Sequence, residues 1–139
     1  MHVIAFAAAL RAEEDRGGGV KAEGFPLTSA TVAGGFPSQI TIPLVLAVYS
    51  QGGTDHDPVR YVVARTPKGE RIGSLKVGWN WPDTPGTPIK YRVFALHLPI
   101  LVQSPGLHSI ALHNSLEEED TEHVFPLPVL AANPLMSSP

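Results

Sequence analysis

Glycine and proline constrain this chain more than any other feature of its sequence. Thirteen glycines and fourteen prolines fall among 139 residues, spread between short apolar runs rather than gathered in one segment. In a helix interior a glycine costs about 1 kcal/mol and a proline about 3 kcal/mol relative to alanine, whereas turns use both residues. The spread therefore favours many short strands joined by turns over a helical bundle. The length suits one domain, and a chain of this size buries about two-thirds of its unfolded surface without crosslinks.

Apolar runs locate the strands. They read as His2–Leu10, Ile40–Tyr49, Pro58–Thr66, Arg71–Trp81, Lys90–Val102, Gly106–Asn114 and Thr121–Leu130. The alanines of the first run leave a short helix as its alternative. "EEDRGGG" (Glu13–Gly19) reads as a polar loop, and Val20–Val32, with Pro26, as irregular chain or an edge strand. Pro43 lacks a ladder donor, so its nitrogen is expected to face an edge or a bulge. "PKGE" between Thr66 and Arg71 supplies a tight turn and the clearest hairpin. Along Lys90–Val102, Phe94, Leu96, Leu98 and Ile100 share one face, with Val93, Ala95 and His97 on the other. Turn signals roughly every ten residues favour an all-β fold, an immunoglobulin-like β-sandwich of about seven to eight mostly antiparallel strands. Residues 1–131 would form this single domain and residues 132–139 a flexible tail.

Several functional classes are disfavoured at once. The net charge is −3 and the basic residues are scattered, without the positive stripe that phosphate neutralisation requires, so no nucleic-acid partner is expected. With no cysteine, thiolate nucleophiles and zinc–thiolate sites are absent, and a cytoplasmic location fits. "MHVIAFAAALRAEED" has no basic residue ahead of its apolar run, so it does not resemble a secretion signal, and that run is too short to span a bilayer. No membrane partner is expected.

The stretch "SPGLHSIALHNSLEEED" (Ser104–Asp120) looks most like chemistry. Strand alternation puts His108 on one face with Ile110 and Leu112, and His113 on the opposite face with Ser109 and Ala111. Two ligands on one strand need even spacing, so this pair cannot chelate one ion. "EEED" reads as a solvated hairpin tip; its four adjacent acids lack the spaced oxygens of a calcium loop. His113 and His123 flank this tip. If they face one another, their pKa values should rise beside the acids, making a weak metal or pH-sensitive pair. "DHD" (Asp55–Asp57) reads as a solvated loop rather than a metal site. No nucleophile elbow, H-E-x-x-H or P-loop motif occurs, so neither an enzymatic activity nor a cofactor is expected. Trp79 and Trp81 in "GWNWP" alternate onto one side of a strand end. They either plug the core or form a recognition surface for protein or sugar.

From Ile40 to Leu130 the order of elements resembles a small family of uncharacterised bacterial proteins with an immunoglobulin-like sandwich. "PVRYVVARTPKGERIG", "FALHLPILVQSPGLHSIALHNS" and "FPLPVL" carry the likeness, with "HVIAFAAALRAEE" as a first strand. In such sandwiches a tyrosine often opens the penultimate strand and closes a corner by a hydrogen bond to backbone. The resemblance puts His108 at that structural position. It implies a fold and no catalytic residues. The expected function is non-enzymatic: binding a protein partner or forming a homo-oligomer, with strand edges near Pro43 and Pro58 and the tryptophans as contacts. The alternative is a carbohydrate-binding module using Trp79 and Trp81.

Overall fold

The computed structural model of the protein describes residues 1–51, 57–82, 85–118 and 120–132. Among them the turn-punctuated runs form strands and no helix: β1 (His2–Ala8), β2 (Arg11–Glu14), β3 (Val20–Glu23), β4 (Ala30–Val32), β5 (Ser38–Gln51), β6 (Val59–Arg65), β7 (Arg71–Gly78), β8 (Ile89–Val102), β9 (Gly106–His113) and β10 (Val124–Ala131). The helical alternative for the first run is not adopted. No helix of the described residues is long and apolar enough to cross a membrane. The "DHD" loop, apart from Asp57, and the tail beyond Ala132 lie outside the described residues.

One sheet has the order β1-β5-β8 and is antiparallel throughout. The second has the order β4-β10-β9-β6-β7 and is mixed, because β4 runs parallel to β10. This second sheet curls into a half-barrel. Period-two alternation supplies the core between them. Leu44, Leu46 and Val48 of β5 and Phe94, Leu98 and Ile100 of β8 meet Val62 and Ala64 of β6, Ile110 and Leu112 of β9, and Leu127 and Val129 of β10.

The sheets come together along β7 and β8, where Gly73 is required. A methyl group there would lie 2.5 Å from the Pro99 carbonyl oxygen and 2.8 Å from Cγ2 of Ile100. Only a residue without a Cβ lets the two strands approach so closely.

Two parts of the chain depart from expectation. The stretch read as a polar loop and irregular chain holds the β2–β3 hairpin. Its turn repeats that of β6–β7: Asp15 N donates to the Gly19 carbonyl and Gly18 N to the Asp15 carbonyl, as Thr66 N does to Glu70 and Gly69 N to Thr66. The hairpin closes over the outer side of the first sheet, where Ala9 and Ala12 pack on Val45. Short, charged strands leave no alternation to read, and with β4 this hairpin takes the strands among the described residues to ten.

The prolines also differ in their roles. Pro43 lies in the central strand β5, opposite His97, and Pro58 precedes the internal strand β6. Neither marks a free edge. The carbonyl of Pro43 accepts from Ala9 N at 2.9 Å, immediately past the end of β1. Because N and O of a strand residue point to the same side, its donorless nitrogen falls where the β1 ladder stops. Pro126 and Pro128 do lie on an edge. Ala132 N donates to the Val32 carbonyl, so the even-numbered residues of β10 turn their polar groups away from β9. β4 pairs only with Val129–Ala131. The two prolines therefore remove donors from a length of β10 that no strand of the described residues pairs with on that side, a device that discourages edge-to-edge pairing.

Candidate functional site

The tryptophans are drawn into the fold. Trp79 is 5 % exposed and belongs to the core, its ring 5.2 Å from that of Phe94. Trp81 is half-buried against the same core and meets Trp79 edge to face at 5.8 Å. Such edge-to-face contact satisfies the opposed charges of ring edge and ring face. Burial leaves Trp79 little surface in contact with solvent. Neither indole N–H has a hydrogen-bond partner among the described residues.

Alternation then separates the histidines. His108 is buried between the sheets opposite Leu127, and its Nδ1 lies 3.0 Å from the Gly106 carbonyl. Nδ1 is therefore the donor, and Nε2 has no partner among the described residues. His113 points to the other side of β9, yet it is only 1 % exposed. His123 does not face it: the His123 carbonyl accepts from Leu112 N, one register position away, and its ring lies 3.5 Å from the Glu122 carboxylate. His97 is exposed on the outside of the first sheet. Among the described residues no group of three or more His, Asp or Glu side chains is placed to hold a metal ion.

What buries His113 is a set of charged side chains that sequence reasoning did not assemble. Nη1 of Arg65 lies 2.9 Å from Nε2 of His113. Arginine only donates, so Nε2 is the acceptor and the imidazole hydrogen sits on Nδ1. Nδ1 faces Oε1 of Glu118 at 3.8 Å, beyond hydrogen-bond reach. Glu118 is half-buried and turns back from the tip: its Oε2 accepts from Asn114 N at 3.2 Å, while Glu117 and Asp120 are exposed. Arg71 of β7 donates to the Leu116 carbonyl of the same connection. Burial lowers the His113 pKa below the ordinary imidazole value, Arg65 and Arg71 push the same way, and Glu118 opposes them. The direction is opposite to the rise expected from the neighbouring acids, because burial of the ring, and then the cations that β6 and β7 bring from far away in sequence, outweigh Glu118.

Register shows how the Arg65 side chain lies relative to its neighbours. Arg65 stands opposite Ser109, Val63 opposite Ala111 and Tyr61 opposite His113. To reach His113, Arg65 must run along the outer surface across the Val63–Ala111 row. Both of those residues point outward and both are buried. The aliphatic stem of an arginine suits this role, since it covers apolar surface while its head stays polar.

Beside this row the outer face of the described residues is largely exposed and apolar. Val124, Pro126, Pro128 and Leu130 alternate outward along β10, and Leu107 of β9 stands opposite Pro128. Leu107 is 60 % exposed, Val124 50 % and Leu130 49 %. Ser109, opposite Pro126, is the polar residue among them. A cleft of about 530 Å³ opens near the start of β1 and the end of β9, between Val3, Arg60, Leu112, Thr121 and His123. Its rim mixes Arg60 with Glu118, Asp120 and Glu122.

No protein-family model, curated protein or solved structure matches this chain.

Proposed function

We propose that this chain is a non-enzymatic, immunoglobulin-like β-sandwich that assembles with itself through the outer face of β9 and β10. Strand order supports the fold reading. The chain crosses between sheets from β5 to β6, from β7 to β8 and from β8 to β9, as Greek-key sandwiches do, and β4 lies parallel beside the last strand. The likeness to uncharacterised bacterial sandwiches belongs to this same reading. The absence of cysteine fits a reducing, cytoplasmic setting.

The observation that carries the assembly reading is the neutral apolar stripe of Leu107, Val124, Pro126, Pro128 and Leu130. Contiguous exposed apolar surface on a folded domain marks a contact site. The stripe carries no charge to steer or register a different partner. Homodimer contacts are the more apolar class, and a two-fold axis lets one patch meet itself. The non-enzymatic reading is supported by the buried imidazoles, which contact the Gly106 carbonyl and Arg65. The carbohydrate-binding alternative has less support, because Trp79 is buried in the core.

Sedimentation equilibrium tests the proposal. The protein should show a concentration-dependent dimer, and Leu107→Lys with Leu130→Lys should leave a folded monomer. A native protein that is monomeric at every concentration reached, or a dimer indifferent to both lysines, would refute it.

A further inference from the structure

We infer that the Arg65–His113 contact is an acid-releasable strap that keeps Val63 and Ala111 out of the assembly face; its link to assembly rests on the function proposed above. Arg65 reaches Nε2 of His113 at 2.9 Å from two register positions away, across the row of Val63 and Ala111, and both of these outward-facing residues are buried. Among the described residues, the groups around His113 are Tyr61 and Arg65 from β6, Arg71 from β7 with Lys76 opposite Tyr61, and Glu118 from the β9–β10 connection. Three of these are cations and one is a carboxylate.

A proton arriving at His113 has one place to go. Nδ1 already holds the ring hydrogen, so the new one binds Nε2. Nε2 and Arg65 are then both donors, both positive, and the 2.9 Å contact cannot persist. Glu118, 3.8 Å from Nδ1, retains the imidazolium. Arg65 is therefore the partner that leaves. Its departure uncovers Val63 and Ala111, and Ala111 stands directly opposite Val124 of the bare stripe. The apolar face grows by one row that joins it without a gap, so self-association should tighten as the pH falls. Burial and the nearby cations hold the His113 pKa below the ordinary imidazole value, which keeps the strap closed at neutral pH.

The test follows backbone amide NMR signals and particle mass between about pH 7.5 and pH 5, the span in which imidazoles titrate. In the native protein the Val63, Ala111 and Leu116 amides should shift together along one titration curve. Dimer affinity should rise at least tenfold across it. His113→Gln, which keeps an acceptor but cannot take the proton, should abolish both changes. Arg65→Gln should give open-strap amide shifts at neutral pH, and it keeps the test available if the histidine variant misfolds. Amides at Val63 and Ala111 that do not titrate, or that titrate equally in His113→Gln, overturn the strap. A strap that opens while the particle stays monomeric upholds the strap and overturns the assembly reading.

Discussion

Gly73→Ala is the most incisive single perturbation of this fold, because one methyl group enters the seam where the two sheets meet. The added carbon would lie 2.5 Å from the Pro99 carbonyl oxygen, a backbone atom that moves only with β8, and 2.8 Å from the side chain of Ile100, which is 2 % exposed. Inserting a methyl into a packed interior costs about 1–3 kcal/mol. Alanine loses less chain entropy than glycine on folding, which offsets about 0.5–1 kcal/mol. The net expectation is a loss of about 1–2 kcal/mol. For a domain of this length each kcal/mol moves the midpoint by roughly 3–5 °C, so thermal unfolding followed by circular dichroism should show a Tm roughly 5 °C lower. Gly17→Ala is the control: a Cβ there meets nothing within 4 Å, so its Tm should stay level or rise slightly. A Gly73→Ala protein that melts at or above the native temperature would show that β7 and β8 do not pack as closely as argued.

Other outcomes follow from the same geometry. Trp79→Ala should lose about 3–5 kcal/mol in denaturant titration, as large aromatic truncations in a core do; a loss under about 1 kcal/mol, the range of surface changes, would place the ring outside the core. Because the His113 pKa is lowered in the folded protein, the unfolded chain binds a proton first as the pH falls. Stability is then complete above about pH 6.5 and declines below it, and His113→Gln should flatten that decline in urea titrations from neutral to acidic pH. Restoring donors to the free edge with Pro126→Thr and Pro128→Thr together should promote strand-to-strand association. Light scattering on freshly purified protein would detect it, and an unchanged particle size would discount the edge role of these prolines.

Alternation in the long strands was legible before any coordinates. Phe94, Leu98 and Ile100 face the core and His97 faces out, because burial of one sheet face imposes a period of two on the residues themselves. The "PKGE" hairpin was legible too, since Gly69 takes φ +89° in a turn whose other bonds are local. The β2–β3 hairpin was not, because "RAEE" and "VKAE" have almost no apolar face to repeat. The stripe on β10 was missed for a related reason: a proline-rich apolar run looks the same in sequence whether its second face meets a core or water.

The neighbourhood of His113 depended on tertiary structure alone. Its position opposite His108 followed from counting along one strand, and its four nearest acids were visible in the next few residues. Arg65 and Arg71 approach it only because β6 pairs with β9 and β7 with β6. Local spacing thus determined which way each side chain of β9 points, since that direction is a property of the extended backbone. Strand pairing between distant segments decided whether the ring met acids or cations, since charge acts through space and takes no account of separation along the chain.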